Sequence, residues 1–156
     1  MLTVRFLTKG GDAVEIELYR ALYKTFHAQK NRIRPGMKEI GLSPGQPKVL
    51  GYLAPRSDGC MQKDIASALD IEPATVSQIL NGMAQEGLIR RSCPEERKRA
   101  ESVFITEKGR EAYAKWHQNC LEIERAALQG FDPAERAQFI AYLCRMYRNL
   151  SGKEIE

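Results

Sequence analysis

Apolar residues recur every three or four positions in six segments of the chain, and prolines and glycines separate these segments. Such spacing places apolar side chains on one face of an α-helix. The first segment covers residues 12–34, where Val14, Leu18, Leu22 and Phe26 are four apart, and Pro35 with Gly36 and Gly41 then predicts a loop. The other five predicted helices begin near Ser43, Met61, Pro73, Thr106 and Asp132.

Capping sequences mark the start of two of these helices. Ser43 is followed three residues later by Gln46, and Asp132 is followed three residues later by Glu135. In such a pair the first side chain accepts from a backbone N–H of the first turn, and the second reaches back to the capping residue. Both segments are therefore predicted to open helices.

The third and fourth predicted helices are short and lie close together along the chain. Residues 61–69 form the third, residues 70–72 form a tight turn, and Pro73 suits the first position of the fourth, which Gly87 closes. Residues 88–91 and 102–105 are candidate strands of a hairpin. Two such helices followed at once by a hairpin predict a winged helix-turn-helix core in a mainly α protein, flanked by long N- and C-terminal helices.

The outward face of the fourth helix carries the main functional signal. Val76, Ile79, Leu80 and Met83 form an apolar stripe that should point inward. The remaining positions are small or hydrogen-bonding and carry no charge: Ala74, Thr75, Ser77, Gln78 and Asn81. Such side chains can pair with base edges or phosphates in a major groove, or touch a thymine methyl group. An ordinary solvated helix face is the alternative, but such faces are usually rich in lysine and glutamate.

The hairpin supplies positive charge. Residues 88–101 hold five basic and three acidic side chains, with Arg97, Lys98 and Arg99 near the tip, and the whole chain has a formal net charge of +4. Arginine suits a narrow minor groove because the potential there is more negative. A solvated charged turn is the competing interpretation, and the helix pair that precedes the hairpin favours contact with double-stranded DNA.

Residues 42–113 resemble the MarR family of bacterial regulators. The matching stretches are Gly41-Leu42-Ser43-Pro44, Asp64-Ile65-Ala66, Ala74-Thr75-Val76-Ser77, Glu86-Gly87-Leu88-Ile89-Arg90-Arg91 and Ile105-Thr106-Glu107-Lys108-Gly109-Arg110. The resemblance implies one domain over residues 1–156, with dimerisation helices at 12–34 and 106–150 and a DNA-binding lobe at 43–105. It also implies a homodimer that binds a palindromic operator, usually as a repressor.

The chain departs from the family pattern at three places. The family's wing commonly reads Asp-x-Arg, whereas Glu96 and Arg97 stand nearest to that pattern here and Lys98 follows. The sequence therefore does not identify which arginine of the wing enters the minor groove. Asp70 replaces a glycine that is common before the recognition helix, and we expect it to adopt a left-handed conformation at some cost. Gly82 lies inside the recognition helix, where close approach to another backbone is the one reason that we can offer.

Regulators that resemble this family often respond to aromatic or phenolic molecules bound between the dimer helices and the DNA-binding lobe. The candidate effector contacts are the aromatic and histidine side chains at Tyr19, Tyr23, His27, Trp116 and His117. The first three follow one another every four residues on the first helix, and the last two lie on the fifth. A packed dimer interface with satisfied histidines is the alternative, and we favour it over a ligand role.

The four cysteines indicate free thiols. They form no Cys-x-x-Cys pair and have no histidine at zinc-ligand spacing, so we expect no metal, cofactor or disulfide. Cys60 precedes a helix and Cys93 lies beside arginines, two settings that favour thiolate and leave a redox-sensing regulator as an alternative. Cys120 and Cys144 should be buried in apolar seams.

Other function classes find little support. The sequence has no nucleophile–base motif and no phosphate-binding glycine loop, so we do not expect an enzyme. It has no signal-peptide pattern and no apolar stretch long enough for a membrane span, which favours a cytoplasmic location. A winged helix used only for protein interaction remains an alternative. Residues 1–11 have three alternative interpretations: an arm exchanged in a dimer, a flexible tail or a remnant of cloning.

Overall fold

The computed structural model of the chain describes residues 3–7, 13–92 and 102–155. Contacts divide the chain into two compact units, Met1–Cys120 and Leu121–Glu156. The secondary structure elements, in chain order, are β1 (Thr3–Leu7), β2 (Ala13–Glu17), α1 (Leu18–Ile40), α2 (Gln46–Leu53), β3 (Cys60–Met61), α3 (Gln62–Ala68), α4 (Pro73–Gln85), β4 (Ile89–Ser92), β5 (Ser102–Ile105), α5 (Glu107–Ala127) and α6 (Pro133–Ser151).

The first helix begins later than its apolar spacing predicts. Residues 13–17 form β2, which pairs antiparallel with β1, and α1 starts at Leu18; the predicted start at Asp12 lies outside the described residues. Val14 and Ile16 alternate with Glu15 and Glu17, and this alternation suits a strand. Because β1 supplies a partner for that alternation, the strand prevails over a helical extension.

The first helix also ends later than predicted, because Pro35 and Gly36 lie inside it rather than in a loop. Gly41, with φ of 77°, ends α1, and the backbone N–H groups of Gly41 and Leu42 donate to carbonyls of the last turn at 3.1 and 3.0 Å. This Schellman cap satisfies backbone groups at the helix end. The cap, together with packing of Met37 against the core, offsets the backbone hydrogen bond that a proline removes.

The two predicted capping sequences both act at helix starts. The Oε1 atom of Gln46 accepts from the backbone N–H of Ser43 at 2.8 Å, as predicted, although Gly45 rather than Ser43 is the N-cap of α2. At α6, Asp132 and Glu135 form the expected reciprocal pair, with both hydrogen bonds at 2.9 Å. Local sequence therefore defines these two starts.

The tight turn between α3 and α4 uses the left-handed conformation expected of Asp70. Its φ is 51°, and the N–H of the next residue, Ile71, donates to the carbonyl of Ala66 at 3.1 Å. The same cap recurs after α4, where Gly87 has φ of 72° and the N–H of Leu88 donates to the Met83 carbonyl at 2.9 Å. These turns set the direction of α4 and of the strand that follows it.

The hydrophobic core of the first unit lies between α2, α3, α4 and a small sheet. The sheet has the order β3-β5-β4, with antiparallel pairing, so β4 and β5 form the predicted wing and begin or end within one residue of expectation. The strand β3 was not predicted, because two residues carry no recognisable alternation. The largest fully buried side chains are Leu50, Leu53, Ile65, Leu80, Met83, Val49, Val76 and Val103.

The second unit holds the end of α5 and all of α6. The rings of Phe131 and Phe139 lie 6.0 Å apart, and the guanidinium of Arg136 donates to the Phe131 carbonyl at 3.1 Å. Several apolar side chains of α6 are exposed, among them Ile140 and Leu150. Among the helices of the described residues, none is both long enough and apolar enough to cross a membrane.

The helical glycines Gly109 and Gly82 differ sharply in their surroundings. A Cβ on Gly109 would overlap the carbonyl oxygen of Leu88 and lie 2.9 Å from Cγ1 of Ile105, whereas a Cβ on Gly82 would meet no atom of the described residues within 4 Å. Gly109 thus permits close packing of α5 against the start of the wing. The expectation that Gly82 closely approaches another backbone was wrong.

We predict opposite effects for alanine at these two positions. Gly109→Ala should lower the free energy of unfolding by about 1–3 kcal/mol, because the backbone of Leu88 must move. Gly82→Ala should raise it by up to about 1 kcal/mol, since alanine favours the helix and has space there. Urea unfolding of both variants beside the wild type provides the measurement, and equal effects of the two changes would contradict the packing at Gly109.

Candidate nucleic-acid interface

The predicted outward face of α4 is exposed. Ala74, Thr75, Gln78 and Asn81 are exposed and Ser77 is half-buried, while the predicted inward stripe is buried at Val76, Leu80 and Met83 and half-buried at Ile79. No residue of α4 is charged. The helix therefore presents a surface that can hydrogen-bond and can approach another molecule without burying an unpaired charge.

The start of α4 is held by α3. Pro73 occupies the first helical position, where its missing N–H costs no hydrogen bond, and the Nε2 atom of Gln62 donates to the Pro73 carbonyl at 3.3 Å. The first-turn N–H groups of a helix and its dipole favour a nearby phosphate. Thr75 and the first turn are thus placed at the end of the helix that suits a nucleic-acid backbone.

Two arginines lie on opposite faces of the wing sheet. Arg90 pairs with Phe104 and Arg91 pairs with Val103 in the antiparallel register, and consecutive strand residues point to opposite faces. The exposed Arg90 guanidinium stacks over the Phe104 ring at 4.1 Å. A Cβ on Gly59 would lie 2.7 Å from that ring, so glycine makes room for Phe104. This stacking holds a cation on the outer face of the wing.

Arg91 reaches back to α4. Its Nη2 atom donates to the Oδ1 atom of Asn81 at 2.7 Å, which joins the wing to the exposed face of the helix. Asn81 was predicted to contact DNA directly, but in the isolated chain its carbonyl oxygen already binds an arginine. Sequence reasoning missed this contact because ten positions and a change from helix to strand separate the two residues.

The wing tip predicted to enter a minor groove lies outside the described residues. This segment, residues 93–101, includes Arg97, Lys98 and Arg99, and also Cys93. Their proposed contacts therefore remain predictions.

A set of hydrogen bonds anchors the base of the wing. The hydroxyl of Thr106 donates to the Gly87 carbonyl at 2.7 Å, and the Lys108 ammonium donates to the Glu86 carbonyl at 2.6 Å. The buried side chain of Gln46 donates from Nε2 to the Glu86 carboxylate at 2.8 Å. The end of α4 and the starts of α2 and α5 are thereby joined where the chain enters β4.

The candidate effector residues fall into two separate groups. On α1, Tyr19, Tyr23 and His27 are exposed, and the Tyr23 and His27 rings lie 5.4 Å apart. On α5, Trp116 packs against the core, and exposed His117 lies 5.7 Å from Tyr113. Among the described residues, the ring contacts of these side chains stay within one helix.

Asn119 is a polar side chain that sequence reasoning passed over. Its Nδ2 atom is buried and makes no hydrogen bond to any described residue. A Cβ on Gly36 of α1 would lie 2.6 Å from the Asn119 Oδ1 atom, so this amide of α5 faces α1 closely. An asparagine on a long polar helix is typical of a surface position, and only the packing of α1 distinguishes it.

Cys60 does not have the environment that the thiolate prediction requires. Its side chain is 8% exposed. Burial raises the pKa of the Cys60 thiol, the charge of Arg56 opposes that rise, and Asp64 adds to it. The expectation of a thiolate at Cys60 was therefore wrong. Cys120 and Cys144, expected to be buried, are half-buried.

Comparisons with known proteins agree with this geometry. A family model described as MarR family matches residues 40–100. The HTH-type transcriptional repressor YetL of Bacillus subtilis is 23% identical over 141 residues, which cover 90% of this chain and 84% of that protein.

Solved structures are similar over most of the chain. A MarR-family transcriptional regulator from Silicibacter pomeroyi has 26% identity and a TM-score of 0.72, over 88% of this chain and 92% of that one. A mutant MepR of S. aureus bound to an oligodeoxyribonucleotide has 26% identity and a TM-score of 0.59, over 87% of this chain and 100% of that one. The fold of this chain is thus that of a winged-helix regulator.

We predict that the Asn81–Arg91 hydrogen bond contributes to stability without DNA. In a double-mutant cycle of Asn81→Ala and Arg91→Ala, urea unfolding should give a coupling energy of about 1 kcal/mol, because a charged donor strengthens the bond. Gln78→Ala on the same helix face serves as the control and should show no coupling to Arg91→Ala. Coupling below about 0.3 kcal/mol for the Asn81 pair would mean that Asn81 is free to serve another partner.

We also predict slow alkylation of Cys60. Because its raised pKa leaves less thiolate at neutral pH, iodoacetamide should modify Cys60 at least about tenfold more slowly than free cysteine. Peptide mass spectrometry over a time course measures the rate at that site, and unfolding in urea should abolish the protection. A rate equal to that of free cysteine in the folded protein would contradict the buried thiol.

Proposed function

We propose that this chain, which is similar to MarR-family regulators over residues 40–100, is a ligand-responsive, DNA-binding repressor that binds a pseudo-palindromic operator as a homodimer. The proposal assigns it no catalytic activity and places it in the cytoplasm, where bacterial DNA is accessible. It rests on the geometry of one surface and on the functions named for its relatives.

The observation that carries the proposal is the uncharged, hydrogen-bonding face of α4 beside a wing that bears arginines. Thr75, Ser77 and Gln78 would meet base edges or phosphates in a major groove, and Ala74 would contact a thymine methyl group. Arg97, Lys98 and Arg99 would bind the adjacent minor groove and its phosphates. Asn81 would position Arg91 at the junction between helix and wing, or exchange that partner for DNA.

The relatives support this use of the surface. YetL is named a transcriptional repressor, and the MepR structure contains a bound oligodeoxyribonucleotide. Both comparisons cover most of this chain, 90% for YetL and 87% for MepR.

Exposed apolar side chains support the homodimer. On α1, Leu18 is 58% exposed, Tyr19 69% and Phe26 62%. On α6, Phe139, Ile140 and Leu150 are exposed as well. A large exposed apolar patch on a protein marks an interaction surface. Burial of these surfaces against a second copy would place two recognition helices about one turn of DNA, ~34 Å, apart.

The effector that we propose is a small aromatic molecule. Tyr19, Tyr23 and His27 on α1 and Trp116 and His117 on α5 supply aromatic contacts. The buried amide nitrogen of Asn119 supplies a hydrogen-bond donor for a phenolic or carboxylate oxygen. Ligand binding would alter operator affinity by changing the spacing of the recognition helices.

Selection from random double-stranded DNA tests the proposal. The purified protein should enrich an inverted repeat with half-sites about one helical turn apart, bound about 10³-fold or more tightly than bulk DNA. Sequencing of the bound fraction at several salt concentrations is the measurement. Enrichment of no sequence even at low salt would contradict DNA readout and favour the protein-interaction alternative.

The selected site then provides a test of the wing. Arg97→Ala with Arg99→Ala should weaken binding and reduce the slope of log K against log salt by about 0.9 for each phosphate that the wing no longer neutralises. Arg125→Ala, an exposed arginine of α5 outside the wing, is the matched control and should leave the slope unchanged. If both changes alter the slope equally, the wing has no special role in binding.

A further inference from the structure

The hydrogen bond between Asn81 and Arg91 fixes which way the Asn81 amide is turned. The Oδ1 atom of Asn81 accepts from Nη2 of Arg91 at 2.7 Å. An arginine side chain has donors and no acceptor, so the amide atom that faces it must be the oxygen. Because the two polar atoms of the planar amide diverge from one carbon, the Nδ2 atom is turned away from Arg91.

Asn81 lies on the face of α4 that is predicted to read DNA. Its side chain is exposed, and Ser77 and Gln78 precede it by four and three residues, the spacings that make residues neighbours on a helix surface. Among the described residues, the Nδ2 atom of Asn81 donates to no acceptor. This face therefore presents an amide donor one turn beyond Gln78.

The bond to Arg91 is expected to persist when DNA binds. A guanidinium is always charged, and a hydrogen bond from a charged donor is stronger than one between neutral groups. Arg91 is half-buried, so an exchange of its Asn81 acceptor for a neutral base edge would cost free energy. The Nδ2 atom can bind DNA without that exchange.

An asparagine with one free amide atom reads bases differently from one with two. A free asparagine pairs with adenine through both atoms, since Oδ1 accepts from N6 and Nδ2 donates to N7. With Oδ1 occupied this pairing is lost, and the N6 group of adenine is itself a donor. Guanine presents two acceptors in the major groove, O6 and N7, and thymine presents O4, whereas cytosine presents the N4 donor.

We propose that Asn81 reads the major groove as a donor only, through Nδ2, and favours guanine or thymine over adenine and cytosine. Its Oδ1 atom stays bound to Arg91. Arg91 is then a positioning residue, which sets a base preference without touching the base. This inference rests on the DNA readout of the proposed function and names the chemistry of one base position in each half-site.

Selection from random double-stranded DNA with Asn81→Asp tests the donor. This change keeps an oxygen for Arg91 and replaces the Nδ2 donor by an acceptor. At one position of each half-site, preference should change from guanine or thymine to cytosine, whose N4 group donates, by about fivefold or more. Gln129→Glu, between α5 and α6, adds the same charge away from α4 and the wing, and should leave every position as in the wild type. An operator that Asn81→Asp leaves unchanged at every position would overturn the proposal.

Arg91→Ala tests the positioning role and decides the case in which the added charge of Asn81→Asp prevents selection. It frees Oδ1 of Asn81, so adenine should gain about fivefold or more at the same position. Weaker binding with no gain of adenine is the result of a merely structural contact, and it overturns the proposal. If the wild-type protein enriches no sequence, the proposed DNA readout fails together with this inference. A wild-type operator that both variants retain contradicts the role of Asn81 alone.

Discussion

The close packing of α5 against the start of β4 fixes the base of the wing beside the end of α4. Gly109 lets α5 approach the Leu88 carbonyl, and that carbonyl accepts the backbone N–H of Thr106 at 3.1 Å. The Thr106 hydroxyl and the Lys108 ammonium bind the two carbonyls just before Leu88. These contacts join the end of the recognition helix, the base of the wing and the start of α5.

Helix and wing divide the chemistry of binding between them. The exposed face of α4 has hydrogen-bonding groups and no charge, which suits base readout, whereas the wing has the arginines, which suit phosphates and a narrow groove. The Asn81–Arg91 hydrogen bond joins the two parts and sets their relative position. Under the proposed function, specificity would come from α4 and electrostatic attraction from the wing.

A single chain exposes several large apolar side chains on α1 and α6. Leu18, Tyr19 and Phe26 are exposed on α1, and Phe139, Ile140 and Leu150 are exposed on α6. Association would bury these surfaces and would place two α4 helices on one DNA molecule.

Local interactions allowed the sequence by itself to determine the helix-turn-helix, its buried stripe, the left-handed Asp70 and the cap at Asp132, since each depends on residues within one or two turns. Contacts between distant segments decided the rest. Pairing with β1 made residues 13–17 a strand, and core packing with a Schellman cap carried α1 past Pro35. The sheet also buried Cys60 and raised its pKa, and the wing brought Arg91 to Asn81. The spacing of apolar residues shows which face of a helix or strand is apolar. The residues that pack against that face come from distant parts of the chain, so only the tertiary structure identifies them.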